Sequence, residues 1–256
     1  MKHMFENLSK ITTLDLTFFD TSNVTEMASM FQGMSTLTKL DLRSFNTIKV
    51  TRMDYMFYNC KAITELNLSS FNTTNVTTMM NMFHSCTNLK ELDLTTFNTT
   101  KVTNMQSMFN TCEKIEEILF GSEFKITNVT DMRWMFQNCQ SITNLDLSSF
   151  GKSKVTSLTH VFANMFHLEN LDLSNLDTSD VTCMDGMFED CQSLSWLDLR
   201  IASFNNETTY LNMFLNVSSQ VTVIIKDDEN NYTKTWVQDK LGTGKGRVLT
   251  VSELNS

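Results

Sequence analysis

The chain of 256 residues contains no proline and only 7 glycines, so it offers little material for proline-rich linkers or glycine-rich phosphate loops. It has no uninterrupted apolar run of about 18 residues, the length at which a segment becomes a candidate membrane span. Basic residues are in the minority, with 20 lysines and arginines against 29 acidic residues and a net charge of −9. This charge disfavours binding to nucleic acid or to acidic lipid, which both need a basic surface.

The short motifs of catalytic and metal sites are also missing. The chain has no nucleophile elbow, no zinc-binding helix motif and no Cys-x-x-Cys pair. Its four histidines share no regular spacing with one another or with carboxylates. We therefore expect a protein that is not an enzyme and that uses no cofactor and no metal ion.

The chain consists instead of one repeated unit. Leu-Asp-Leu or a variant of it returns every 26 residues, with a single interval of 27 between positions 118 and 145. The first residues of the nine copies are Leu14, Leu40, Leu66, Leu92, Ile118, Leu145, Leu171, Leu197 and Val223. A fixed period of this length is typical of a solenoid, in which each coil buries its apolar face only against neighbouring coils.

The third unit, residues 63–88, illustrates the predicted coil. Leu66 and Leu68 alternate with polar residues, as in a short strand. After a polar corner, apolar residues from Val76 to Cys86 follow at spacings of three and four, which predicts a short helix. The sequence thus predicts an α/β repeat solenoid of the leucine-rich-repeat type with about nine coils, each containing a short parallel strand and a short helix.

Phenylalanine recurs in two files along the repeat, and we expect both files to form the core. The first file is Phe5, Phe31, Phe57, Phe83, Phe109, Phe136, Phe162, Phe188 and Phe214. The second contains Phe19, Phe45, Phe71, Phe97, Phe124 and Phe150, with Leu176 in the next copy. Most of the 18 methionines fall at two other repeat positions, where we expect them to fill the core.

The repeat defines two regions of the chain. Residues 1–225 form the predicted solenoid, which begins in the middle of a unit, so a leader or further coils are expected upstream. Residues 226–256 leave the repeat and contain Trp236 and Val237 as apolar anchors. Because a terminal coil needs a cover with a polar outer face, we expect a C-terminal cap here, containing a short hairpin.

Five of the six cysteines share one repeat position, which other copies fill with leucine, methionine or valine. These five are Cys60, Cys86, Cys112, Cys139 and Cys191. We expect buried free thiols at this apolar position, with a disulfide or metal ladder as the alternatives. Cys183 lies outside the file and is expected to be partly exposed.

The outer face of the predicted strands is the candidate binding face. The central aspartates of Leu-Asp-Leu form one file, which either is simply solvated or binds cations. The residue preceding each copy varies more, and variable positions on a regular frame are typical of a binding surface. The candidate residues are Lys39, Glu65, Glu91, Asp146, Asp172, Trp196, Asp198 and Arg200, with Trp196 as the expected hot spot.

One unit, LKELDLTTFNTTKVTNMQSMFNTC at residues 89–112, resembles the leucine-rich repeat of BspA-like bacterial surface proteins. It is also similar to a repeat of mycoplasma surface lipoproteins. The resemblance covers residue 4 to about residue 225, although the fifth unit replaces Leu-Asp-Leu by Ile118-Leu119-Phe120. It implies a cell-surface or secreted solenoid that mediates adhesion, although these residues include no signal peptide.

The leading hypothesis is a non-enzymatic protein-interaction module that adheres to host matrix, host cells or other microbes. Its partner would be a protein or glycan on a host or microbial surface. One alternative is a structural spacer that presents a domain outside this chain. A remote alternative is a polysaccharide-active solenoid enzyme that uses Asp172, Asp198 and Arg200.

Overall fold

In the computed structural model, the chain winds as a parallel β-solenoid of about nine turns with a period of about 26 residues. The structure describes residues 1–202, 204, 207–228, 230 and 232–255. The strands are β1 (Thr13–Leu14), β2 (Lys39–Leu40), β3 (Glu91–Leu94), β4 (Glu117–Phe120), β5 (Asn144–Leu145), β6 (Asn170–Asp172), β7 (Trp196–Asp198), β8 (Thr222–Ile225) and β9 (Arg247–Thr250). The helices are α1 (Tyr232–Leu241) and α2 (Val251–Leu254).

Every strand pair is parallel, and each strand pairs with the equivalent residues of a neighbouring coil. The pairs form three sheets with the orders β1-β2, β3-β4 and β5-β6-β7-β8-β9. In β3, Leu92 and Leu94 are buried while Glu91 and Asp93 are exposed. This alternation is the period-two pattern that the sequence predicted.

The two phenylalanine files form the centre of the core, as predicted. Successive rings of the first file stack with centroids 5.4–5.8 Å apart and planes within 13° of parallel. Phe83, for example, is fully buried between Phe57 and Phe109. Because each ring covers the next, the apolar surface of one coil is removed from water only by its two neighbours.

The predicted short helix of each coil is wrong. In the third coil, residues 80–85 form consecutive turns, and Asn81 and Ser85 have left-handed backbone conformations with φ of 56° and 60°. A right-handed helix requires a negative φ at every residue. Turns bring residues three and four apart to one side as a helix does, so the apolar spacing did not distinguish the two.

These turns bind the coils to one another through alternate amides. The N–H groups of Asn81, Phe83 and Ser85 donate to carbonyls of the next coil at 2.8–2.9 Å. The intervening N–H groups of Met82 and His84 donate to carbonyls three residues back in their own coil, at 3.1 and 3.2 Å. In a helix all these bonds would form within the coil, whereas in the turns every second N–H donates to the neighbouring coil.

The C-terminal segment contains the helices α1 and α2 and the strand β9, and its described residues form no hairpin. β9 pairs with β8 in parallel, with Thr222 opposite Arg247, and the helix α1 makes the connection. The buried side chains of α1 are Thr233, Val237 and Leu241. A helix satisfies its own backbone groups, so it can cover the last coil without requiring another coil to follow.

Replacing Phe83 by alanine should lower the free energy of unfolding by about 3–5 kcal/mol, because the surrounding coils cannot close the cavity. Phe18, which is 95% exposed, provides the control, and its alanine variant should change that energy by less than about 0.5 kcal/mol. Urea denaturation measures both. Equal effects of the two substitutions would contradict the stacked core.

The turn conformation and a helix predict opposite effects of a glycine substitution on the free energy of unfolding. At the left-handed Ser85, glycine should raise the free energy of unfolding by about 0.5–1 kcal/mol, because glycine lacks the Cβ that disfavours this conformation. Valine at the same position should lower it by more than about 1 kcal/mol. In a helix, glycine would instead cost about 1 kcal/mol, so destabilisation by Ser85→Gly would support the helix.

Candidate functional site

The outer face of the strand ladder contains a groove of about 620 Å³ across the second, third and fourth coils. We call it the strand-face groove. Its charged lining residues are Lys39, Asp41, Arg43, Glu65, Glu91 and Asp93. In the second coil Arg43 is paired with Asp41, which leaves one net positive charge there, whereas the charged residues of the third and fourth coils are all carboxylates, so the groove has a positive end and a negative end.

The lining side chains are positioned by the pleat of the strands. Lys39, Glu65 and Glu91 occupy the same repeat position and are all exposed. The leucines that follow them, Leu40 and Leu66, are buried with 8% and 7% of their surface exposed. The core therefore fixes the backbone beneath the groove, and the residues above it are free to differ from coil to coil.

The aspartate file ends each strand with a side-chain turn. Asp93 Oδ1 accepts from the backbone N–H of Thr95 at 2.9 Å and from the hydroxyl of Thr95 at 2.6 Å. Asn67 replaces aspartate in the preceding coil and makes the same two contacts with Ser69. The file therefore has a structural role that the sequence analysis did not identify, because an Asx turn needs only an acceptor two residues before the N–H.

Hydrogen bonds lower the pKa of three carboxylates of this file, those of Asp15, Asp41 and Asp93. The side-chain bond from Arg43 lowers the pKa of Asp41 to about 2, from an ordinary value of 3.8. Arg43 Nε and Nη2 both bind the Asp41 carboxylate, at 3.0 and 2.6 Å to their nearest oxygens. Thr17 and Thr95 lower the pKa of Asp15 and Asp93 in the same way, through the turn bonds. The ionised form of these carboxylates is thus the one that the fold stabilises.

The structure divides the eight candidate residues into separate groups. Lys39, Glu65 and Glu91 come together in the strand-face groove. Asp146 and Asp172 are exposed further along the ladder, and each accepts from a serine N–H two residues later. Sequence periodicity placed all of them on one face but did not show which coils enclose a groove.

The expectation that Asp198 belongs to an exposed face is wrong. Its surface is 0% exposed, and its carboxylate is held by the backbone N–H of Arg200 and by the guanidinium of the same residue. Its strand β7 lies between β6 and β8 in the middle of the five-stranded sheet, and Asp198 pairs with Ile224 of β8. Trp196, the expected hot spot, is half-buried.

A second variable surface, which the sequence did not predict, lies on the turn side of the coils, the side formed in the third coil by residues 80–85. Tyr55, Tyr58 and His84 form an aromatic cluster there, with ring centroids 5.6 and 4.8 Å apart. On the same side two coils further on, Arg133 lies over the ring of Trp134. The sequence did not reveal this surface because its residues fall within the segment interpreted as a helix. Their repeat positions hold different residue types in different coils, and this variation could have indicated the surface.

One family model matches the chain over residues 1–122 and again over residues 116–226. It describes a Mycoplasma protein of unknown function, DUF285. The chain belongs to this family. No curated protein and no solved structure matches the chain. The two matches cover the whole solenoid, so the repeat unit itself is what this member shares with its family.

The described part of this DUF285 member contains neither a metal-binding cluster nor a membrane-spanning helix. No group of three or more histidine, cysteine, aspartate or glutamate side chains there is arranged to hold a metal ion. Among the same residues, no helix is long and apolar enough to cross a membrane. Within the aspartate file, Asp93, Asp146 and Asp172 each use a carboxylate oxygen to accept the backbone N–H two residues later.

The cysteine file consists of free thiols, as expected. The five cysteines of the file are buried, and Cys183 is half-buried. Each buried thiol donates to a phenylalanine carbonyl of the preceding coil, at 3.1–3.2 Å. Burial raises the pKa of Cys60, Cys112 and Cys191 to about 12, so these thiols are not nucleophiles at neutral pH.

The Asp41–Arg43 pair predicts a pH dependence of stability. Its depressed pKa contributes stability that is fully present above the unfolded-state pKa near 3.8 and is lost as the pH falls through about 2. Asp41→Asn keeps the turn acceptor, as Asn67 shows, and removes the charge. We expect this variant to melt about 1–2 °C below the parent protein at pH 7, because the pair is exposed.

The difference between the Asp41→Asn variant and the parent should disappear as the pH falls from 4 towards 2. Melting temperatures measured by circular dichroism across this range provide the test. Glu113→Gln, an exposed substitution away from the groove, controls for the loss of one negative charge. A difference that persists unchanged at pH 2 would contradict the assigned cause.

Proposed function

We propose that this protein is a non-enzymatic interaction module of a BspA-like, leucine-rich-repeat-related surface protein that binds a protein or glycan partner. In this proposal the chain acts outside the cell, as an adhesin towards host matrix, host cells or other microbes. The observation that supports it most is the strand-face groove. There, Lys39, Glu65 and Glu91 differ from coil to coil above an apolar frame that does not.

The charge distribution favours a partner with separated charges. Lys39 and Arg43 supply a positive end, whereas Glu65, Glu91 and Asp93 supply a negative end. Complementary charges steer association and fix the orientation of a bound partner more than they raise its affinity. A basic segment of the partner would lie over the third and fourth coils, and an acidic one over the second.

The spacer hypothesis has one observation in its favour. Asp15, Asp41 and Asp93 on the outer face are engaged in turns within their own coils, so part of this face serves the fold. For the enzyme hypothesis, Asp198 and Arg200 bind each other and the carboxylate is buried. That pairing engages two of the three residues of the hypothesis and leaves Asp172 exposed.

The test is binding of the purified chain to a panel of immobilised matrix proteins, including fibronectin, laminin and collagen. We expect saturable binding to at least one of them, weakened at least tenfold by Glu65→Ala/Glu91→Ala. Glu113→Ala/Asp180→Ala removes two exposed carboxylates elsewhere and should leave the affinity unchanged.

Binding should also weaken as the salt concentration rises, because exposed charges are screened. No binding to any panel member, together with no binding to host cells, would favour the spacer. Equal binding by the two double variants would show that the strand-face groove is not the contact surface.

A further inference from the structure

A second groove, which we call the corner groove, lies where the strands of the fifth to seventh coils turn. It has a volume of about 520 Å³. Its polar lining includes Lys125, Ser148, Lys152, Ser174, Asn175 and Asp177. None of the residues predicted from the sequence lies in this groove, and the strand-face groove occupies other coils.

The corner groove coincides with a break in an otherwise regular ladder of buried threonines. In the earlier coils each such hydroxyl donates to a carbonyl of the next coil and accepts an N–H from it, as Thr73 does with Asn98 at 2.9 and 2.8 Å. The members are Thr21, Thr47, Thr73 and Thr99. In the next two coils Ile126 and Lys152 take this position, and buried Thr178 resumes it.

A second irregularity lies at the same place. Ser70 Oγ donates to the carbonyl of Leu42 in the coil before it, at 3.0 Å. Ser149 occupies the equivalent position, yet its Oγ is buried and has no hydrogen-bond partner among the described residues. The coil before Ser149 is the one with the additional residue, between positions 118 and 145.

These irregularities lower the stability of the coils that carry them. A buried hydroxyl without a partner loses the bonds that water would make with it. With Lys152 in place of the threonine, one long bond from the Ser153 hydroxyl to the Asp177 carbonyl, at 3.4 Å, stands where the regular coils have two shorter ones. Rule-breaking positions that gather around one groove indicate a function that the regular repeat does not provide.

The lysines of the groove are available to a ligand. Lys125 and Lys152 make no ion pair or side-chain hydrogen bond within the part of the chain that the structure describes. By contrast, the nearby Lys101 and Lys154 each donate to an asparagine of the preceding coil, at 2.8 and 3.1 Å. The Asp177 carboxylate offsets one of the two ammonium charges, so the groove keeps one net positive charge, which favours an anion despite the net charge of −9.

The other lining groups define the ligand further. Ser148, Ser174 and Asn175 offer hydroxyl and amide groups that both donate and accept. Asp177 Oδ1 accepts from the backbone N–H of Ser179 at 3.0 Å, and the second oxygen of this carboxylate would repel a bare oxyanion but would accept a hydrogen bond from a hydroxyl group. A ligand that satisfies all of them carries one acidic group and several hydroxyls.

We propose that the corner groove binds an acidic sugar. Lys125 and Lys152 hold its carboxylate or sulfate, and Asp177, Asn175 and the serines bind its hydroxyls. The groove is large enough for one or two sugar rings. This site is separate from the strand-face groove, so either can fail its test without affecting the other.

Calorimetry of the full chain with glucuronic acid, glucose and inorganic sulfate tests the proposal. Glucuronic acid differs from glucose only by its carboxylate at C6, and sulfate supplies an oxyanion without hydroxyls. We expect saturable binding of glucuronic acid in the millimolar range, and at least tenfold weaker binding of glucose and of sulfate. The proposal is overturned if glucose or sulfate binds as tightly as glucuronic acid does. It is also overturned if glucuronic acid shows no binding at a concentration about 20-fold above the expected millimolar dissociation constant.

Two variants locate the binding. Lys125→Ala/Lys152→Ala should weaken glucuronic acid binding at least tenfold, whereas Lys49→Ala/Lys101→Ala, with the same net charge, should not. Lys152→Thr restores the repeat threonine, so it should raise the melting temperature and still weaken binding. An unchanged affinity in Lys152→Thr and in the first double variant would overturn the assignment.

Discussion

The hydrogen bonds that pass from one coil to the next on the turn side are the constraint on which the structure depends. They accompany left-handed residues at every fourth position of the turn segment, such as Asn81 and Ser85. Within this segment successive amides donate alternately to their own coil and to the next. The spacing of the coils follows, and the stacking of Phe57, Phe83 and Phe109 follows from that spacing. Every second amide of the turn segment finds its acceptor only in a neighbouring coil, so the stable object is the stack.

The periodic features of the fold were predictable because they depend on local sequence alone. A 26-residue period requires equivalent residues to lie above one another, which correctly placed the phenylalanine and cysteine files in the core. The helix was wrong because apolar spacing reports only which side chains face inward. The asparagines, serines and glycines at the left-handed positions, such as Gly33 and Asn59, carried the missing information.

The sequence predicted which face of the strands carries the candidate site, but not which coils and residues form it. Alternation within the strand places Lys39, Glu65 and Glu91 outward, and the structure confirms this. The burial of Asp198 depends instead on the terminal coils, whose sequence departs from the repeat. The corner groove depends on one additional residue and on the replacement of threonines, and their combined effect on shape appears only when the coils are stacked.

Regularity and function are thus in tension along this chain. Regular positions satisfy backbone groups and bury the rings, and the two grooves lie where charged residues vary or the repeat breaks. The most direct test of this account is a scalar coupling across a hydrogen bond, measured by NMR on the deuterated protein. The account predicts a coupling between the Phe83 amide nitrogen and the Met108 carbonyl carbon of the next coil. A coupling to the carbonyl of Met79 instead would place Phe83 in a helix and contradict the account.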